Sequence, residues 1–246
     1  MGTQMTIWEM EYVKPNKPMN VLVACEESQT VCKAFREKGH EAYSCDIQEC
    51  SGGHPEWHIM GDVLDVLNPK HLWSKDGING IGFSTCDGEW HFIEDKWDII
   101  IAHPPCTYMS KAGARFMYLT AGNIDEERLR KALEAKEFFM KFMNADCERI
   151  CIENPTPLKI VGLPQESQVI EPYFFGEKYS KRTLLWLKGL PPLYDTNFVE
   201  EHTPYLPSNT GGFARGMGGS RGVAHNAKDA SKTFKGIADA MAQQWG

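Results

Sequence analysis

The sequence contains no apolar run near the roughly 18–20 residues needed to span a bilayer, so a membrane-spanning role is not expected. Residues 1–16 lack the apolar core of a secretion signal, and the expected compartment is the cytoplasm. Eight cysteines are present without one CxxC pair, in a chain of 246 residues that is too long to need a disulfide framework. Reduced thiols are therefore expected, and one is a candidate for catalysis. No internal repeat is visible, which argues against a solenoid. Nor is there a large excess of one charge: a net charge of −7 disfavours indiscriminate nucleic-acid binding. The spacing of Cys45, Cys50, His54 and His58 is only loosely zinc-like, with Cys45 inside an expected strand, and no metal is expected.

What is present is an ordinary globular composition, 42% hydrophobic and 24% charged, sufficient for one large domain or one domain with a small appendage. Charge is unevenly spread: residues 176–235 carry a balance of +4 and the remainder −11, which suggests a local anionic partner. Residues 19–25 (MNVLVAC) read as a buried strand, 28–38 as a helix stopped by Gly39, and 41–46 (EAYSCD) as a second strand. Such a β–α–β unit opens a parallel, doubly wound sheet. Residues 62–67 form a third acidic-apolar turn, and 77–96 a hairpin insertion with its turn at Asp87-Gly88. Strands are expected at 97–102 (WDIIIA), 149–153 (RICIE) and 183–187 (TLLWL). The longest helix is expected at 125–143, with Leu129, Leu133, Phe139 and Phe142 on its apolar face. Residues 211–222 (GGFARGMGGSRG) predict a Gly/Arg-rich loop, and 234–245 a closing helix. The organisation expected is a core at 1–188, a small Gly/Arg-rich region at 189–232 and a terminal helix at 233–246 packing back on the core.

Open α/β sheets bind ligands at the carboxyl ends of their strands. Unusual residues stand there in this sequence. The first strand ends at Cys25, Glu26, Glu27 and Ser28, the second at Asp46, and the third turn holds Asp62. WDIIIA ends at His103-Pro104-Pro105-Cys106, and RICIE at Glu153-Asn154-Pro155. A carboxylate at the end of the second strand suits a ribose diol.

Residues 104–115, PPCTYMSKAGAR, resemble the catalytic loop of DNA cytosine carbon-5 methyltransferases, which typically reads PPCQ-x-FS-x-AG-x-R. Glu153-Asn154-Pro155 resembles that family's Glu-Asn-Val, and Gly61-Asp62-Val63 its Gly-Asp-Ile turn. Residues 179–183 (YSKRT) stand where the family keeps a Gln-x-Arg-x-Arg strand, and GIADAMAQQW resembles its returning helix beside the first strand. The likeness covers residues 19–188 and about the last dozen, and extends to compact viral and bacterial proteins of cytosine methyltransferase type. Two departures stand out: the first loop has no glycine, and Thr107 replaces the glutamine after the cysteine. The span before the terminal helix is also short for a target-recognition domain.

The resemblance implies a Rossmann-like class I methyltransferase, α/β with a mostly parallel sheet flanked by helices, using S-adenosylmethionine on DNA that presents a flipped or single-stranded cytosine. Cytosine carbon 5 is too weak a nucleophile to attack a methyl sulfonium. A thiolate adding to carbon 6 makes the ring an enamine, and a carboxyl group at N3 offsets the charge that builds there. By resemblance, Cys106 is the nucleophile and Glu153 the ring-binding acid. Lys181 or Arg182 contacts the base carbonyl. Pro104, Pro105, Ser110, Arg115 and Asn154 complete the substrate side. Asp46 holds the donor ribose and Asp62 its adenine amine, with Cys25, Glu26, Ser28 and His103 alongside. The alternatives are an exocyclic-amine DNA methyltransferase, a methyltransferase of free pyrimidine nucleotides, and a degenerate protein that binds DNA without catalysis.

Overall fold

In the computed structural model, the residues described are 17–69, 72–119, 123–206, 222–224, 231 and 233–246. The expected Gly/Arg-rich stretch 211–221 and the first sixteen residues lie outside them.

β1 (Asn20–Ala24) pairs in parallel with β2 (Glu41–Asp46) on one side, and α1 (Thr30–Glu37) makes the crossover, the β–α–β unit expected from the sequence. β3 (His58–Met60) extends the sheet beyond β2. On the other side of β1 lie β7 (Ile99–Ala102) and β8 (Ile150–Pro155), both parallel to it. β11 (Thr183–Lys188) then runs antiparallel between β8 and β9 (Gln168–Ile170). The order β3-β2-β1-β7-β8-β11-β9 makes a mostly parallel α/β sheet, with β11 its reversed strand. Strand order reverses between β1 and β7, the switch point at whose carboxyl ends open α/β sheets place their ligands.

Residue alternation divides the core in two. Val21, Val23, Ile99 and Ile101 face α1 and α5 (Lys235–Trp245), where Phe35, Met241 and Trp245 pack. Leu22, Ala24, Ile100, Ile150 and Ile152 face α4 (Glu126–Met143), which supplies Phe139 and Phe142. Asp125 begins α4 by accepting the Arg128 amide at 2.8 Å, a side-chain cap for an otherwise orphan donor. Leu133, expected on the apolar face, is 42% exposed. The buried stripe of α4 runs instead through Ala132, Phe139 and Phe142. α5 approaches closely enough that a Cβ on Gly236 would lie 1.9 Å from the Phe175 carbonyl oxygen.

The expected hairpin is a three-stranded antiparallel sheet: β4 (Trp73–Lys75), β5 (Ile78–Ser84) and β6 (Trp90–Glu94). The turn at Asp87-Gly88 is present, with Gly88 at φ +90°. A second turn at Asp76-Gly77, both with positive φ, joins β4 to β5 in two residues, the geometry that Asp-Gly favours in a hairpin. Ile81, Phe83 and Ile93 bury one face of this insertion beside Tyr43 and Trp97. The single helical turns α2 (Leu64–Leu67) and α3 (Ala114–Met117) and the short pair β10 (Tyr179–Ser180) and β12 (Thr203–Pro204) complete the described elements that position the site. Among the described residues no helix is long and apolar enough to cross a membrane.

Candidate active site at the carboxyl edge of the sheet

β7 and β8 are parallel neighbours in the register Ala102↔Ile152, so the next residues, His103 and Glu153, emerge side by side. Their side chains are 11% and 13% exposed, and His103 Nδ1 lies 3.0 Å from Glu153 Oε2. Burial works against the imidazolium, but the hydrogen bond and charge of Glu153, with the charge of Glu26, outweigh it and raise the His103 pKa. Burial likewise favours protonated Glu153, yet the His103 hydrogen bond and charge and the Lys181 charge bring it below the usual carboxylate value. His103, expected on the donor side, is hydrogen-bonded to Glu153.

The loop after His103 is laced to the segment after Glu153. Asn154 Nδ2 donates to the Pro104 carbonyl at 2.9 Å, the Leu158 amide to the Met109 carbonyl at 2.7 Å, and the Lys111 amide to the Thr156 carbonyl at 2.9 Å. Ser110 is buried and bridges to Pro157, and Pro104 is buried while Pro105 is exposed. Within the loop, the amides of Met109 and Ser110 both turn back onto the Cys106 carbonyl, at 3.0 and 2.9 Å. Arg128 holds the loop from α4 by donating from Nη2 to the Thr107 carbonyl at 2.9 Å. Gly113 leaves room for this tie, since a Cβ there would lie 2.5 Å from that same nitrogen.

Cys106 itself is half-buried. Burial first, and the Glu153 carboxylate second, push its thiol pKa up, while Lys181 pulls it back. The resting group is a thiol that shares one electrostatic environment with Glu153 and Lys181. Of the two basic candidates, Lys181 is half-buried and acts on Cys106, Glu153 and His103. Arg182 is exposed and its charge acts on Glu171, so it is not brought to the cysteine. Arg115 is exposed as well, with its guanidinium 4.5 Å from the centre of the Phe116 ring. It lines a concavity of about 430 Å³ with Tyr108, Phe116, Arg128 and Lys131, and neither Cys106 nor Glu153 lines that hollow.

The β1 loop behaves differently from its expected role. Glu26 is buried, and its two oxygens accept the amides of Val31 at 2.7 Å and Cys32 at 3.2 Å. It caps α1 internally, so its carboxylate is committed to the fold and the expected donor contact is corrected. Ser28 Oγ pairs with Thr30 Oγ1 at 3.1 Å. Without glycine, Cys25 and Gln29 themselves take the left-handed conformation, at φ 59° and 58°. Such backbone strain persists where the surroundings over-determine it. The Gln29 amide does so here, accepting from the His54 amide at 3.0 Å and donating to the His54 carbonyl at 2.8 Å.

Asp46 and Asp62 stand at the ends of β2 and β3, and both act on Cys25, whose thiol is pushed up to about 12 by burial first and these carboxylates second. Asp46 Oδ1 accepts the Gln48 amide at 2.9 Å, and Asp62 Oδ1 accepts the Leu64 amide at 3.0 Å. Large apolar side chains stand out nearby in the chain, with Ile47 79% and Met60 56% exposed. Two carboxylates flanked by exposed apolar side chains suit a nucleoside with a diol and an amine. Of the loosely zinc-like set, His58 is committed through both ring nitrogens, to Ser44 Oγ at 2.8 Å and the Gln48 carbonyl at 2.9 Å, and Cys45 is buried.

No family model matches the chain. Over 165 residues it is 23% identical to the bifunctional enzyme IspD/IspF of Campylobacter curvus (strain 525.92). That likeness spans 63% of this chain and 43% of that protein, so the chain covers less than half of the relative's length. At this identity and coverage it assigns neither family nor activity.

Proposed function

We propose that the chain is a class I methyltransferase that moves a methyl group from S-adenosylmethionine to carbon 5 of cytosine in DNA, with Cys106 as nucleophile and Glu153 as the ring-binding acid. The observation that carries this reading is the lacing of the Cys106 loop to the segment that follows Glu153, headed by the bond from Asn154 to the Pro104 carbonyl. It ties the loop that carries a thiol to the strand end that carries a largely covered carboxylate, the pair that activation of a pyrimidine ring needs. A mostly parallel sheet with a switch point between β1 and β7 is the frame such an enzyme uses.

The donor, when bound, supplies an electrophilic methyl group. Asp46 and Asp62 would hold its ribose and adenine amine at the ends of β2 and β3. Glu153 orients the base through N3, and Lys181 faces the base carbonyl. Sγ of Cys106 loses its proton to water and bonds to carbon 6, and the electron pair of the 5,6 double bond becomes available at carbon 5. Departure of the carbon 5 proton to water and release of Sγ then restore the ring. Lys181 favours the thiolate this step requires, and loss of charge on Glu153 would favour it further.

Incubation with tritiated donor and cytosine-containing DNA, followed by nucleoside analysis, tests the reading. Label in 5-methylcytosine is the expected product. Label in N4-methylcytosine, or only in free nucleotides, would assign one of the other methyltransferase classes. Glu153→Gln is expected to keep DNA affinity while losing about 10²–10⁴-fold in turnover, the usual scale of general-acid catalysis; unchanged turnover would remove Glu153 from the mechanism.

A further inference from the structure

We propose that His103 is a positioning residue that stores the proton Glu153 needs, delivering it to the carboxylate when a base enters and taking it back when the base leaves. The inference rests on the methyl-transfer reading and supplies something that reading lacks. To donate a hydrogen bond to ring N3, Glu153 must carry a proton. In the resting site it is an ion-pair partner, which favours the carboxylate.

Among the described residues, His103 stands against the Glu153 carboxylate as a proton donor. His103 Nδ1 lies 3.0 Å from Glu153 Oε2, inside a site where both side chains are almost wholly covered. His103 Nε2 is buried and has no hydrogen-bond partner among the described residues. The charged groups that face the ring come from three other elements: Glu153 from β8, Glu26 from the loop after β1, and Lys181 from the segment before β11. Cys106, three residues on, feels Glu153 and Lys181. The hydrogen bond and charge of Glu153, with a smaller part from Glu26, whose own carboxyl is pushed up by burial, outweigh the one lysine and hold the imidazolium.

Entry of a base expels water, and a drier pocket penalises a separated ion pair more than two neutral groups. The Nδ1–H bond of His103 then breaks and an O–H bond forms on Glu153 Oε2, leaving a neutral imidazole and a neutral carboxyl. No net charge moves and no further reactant is required. The new O–H donates to N3, where charge builds as Cys106 adds to carbon 6. Neutralising Glu153 also removes the carboxylate that opposes thiolate formation at Cys106. When Sγ leaves carbon 6, the proton returns along the same path.

Two measurements on the full chain test this. The first is ¹⁵N NMR of labelled histidine in the wild type and in Glu153→Gln. His103 is expected to be an imidazolium at about pH 7, titrating above free histidine, and to become neutral at that pH in the variant. A neutral His103 in the wild type overturns the proposal. The second is the rate of covalent trapping on DNA containing 5-fluorocytosine, compared between the wild type and His103→Asn, with His103→Gln as a second variant. The ratio of wild-type to variant rate combines the proton missing from Glu153 with the weaker thiolate formation that the remaining Glu153 charge causes at Cys106. It is expected to grow with pH while His103 holds its proton, exceeding roughly tenfold, and to level off once the imidazolium titrates. A ratio that is large but constant with pH would make His103 structural and overturn the proposal, as would a ratio of one. A wild type that traps nothing while NMR shows the shared proton overturns the use of that proton on cytosine, and with it the methyl-transfer reading, rather than the pairing itself.

Discussion

Two loops leave the carboxyl ends of adjacent parallel strands, one after β1 and one after β7, and they spend their polar groups in opposite ways. After β1, the Glu26 carboxylate turns inward to cap α1, and the Gln29 amide stands in for backbone against His54. After β7, His103 hydrogen-bonds Glu153 and Cys106 lies in the field of Glu153 and Lys181, while the loop itself is secured by main-chain and Asn154 bonds. Both loops are strand ends with acidic or nucleophilic residues. What separates scaffold from site is where each polar group finds its partner.

Substitutions that exploit this contrast run from large to small effect. Glu26→Ala strips two buried helix amides of their acceptor and is expected to cost roughly 3 kcal/mol of stability, at about 1–3 kcal/mol for each unsatisfied group. Denaturant unfolding checks it, and in the folded protein the His103 titration should move down a little, since the Glu26 charge is a lesser contribution to it than Glu153. A loss of trapping with unchanged stability would move Glu26 from scaffold to site. Asn154→Ala releases the Pro104 carbonyl and should show the reverse balance. Stability falls by about 1 kcal/mol, while trapping slows at least ~10-fold because the Cys106 loop loses its register to Glu153. Asp46→Ala should leave the unfolding midpoint within about 0.5 kcal/mol but weaken donor binding, read by calorimetry, about tenfold, the worth of one charge-assisted hydrogen bond. Full donor affinity in that variant would remove Asp46 from the donor site. The smallest effect is expected from Leu133→Glu on the exposed side of α4, within about 0.5 kcal/mol; a larger loss would place a partner on that face.

Much of the frame was legible in the sequence because burial on both faces of a central strand leaves an apolar run with abrupt ends. The segments at 41–46, 97–102 and 183–187 show this, and α4 starts one residue after Asp125, as its cap signals. β3 and β9 were not legible, because three residues are too few to show a period. β4 was signalled by Asp76-Gly77, the same kind of turn that revealed β5 and β6, and was missed because the strand before it is exposed throughout. Within the site, the residue types at strand ends identified Cys106, Glu153 and Asp46 as candidates. Their partners were another matter. The role of Glu26 depends on two amides of α1, and the choice of Lys181 over Arg182 depends on which side of an edge each emerges. The pairing of His103 with Glu153 was within reach: aligning WDIIIA with RICIE as parallel neighbours sets the two residues side by side.

The most direct measurement is mass mapping of the covalent product formed with donor and DNA containing 5-fluorocytosine, whose fluorine cannot leave carbon 5 as the proton does. The expected result is one adduct, on the tryptic peptide 97–111 that contains Cys106, and none in Cys106→Ser. An adduct on Cys25 or any other cysteine, or no adduct with donor and DNA both in excess, would contradict a nucleophilic Cys106.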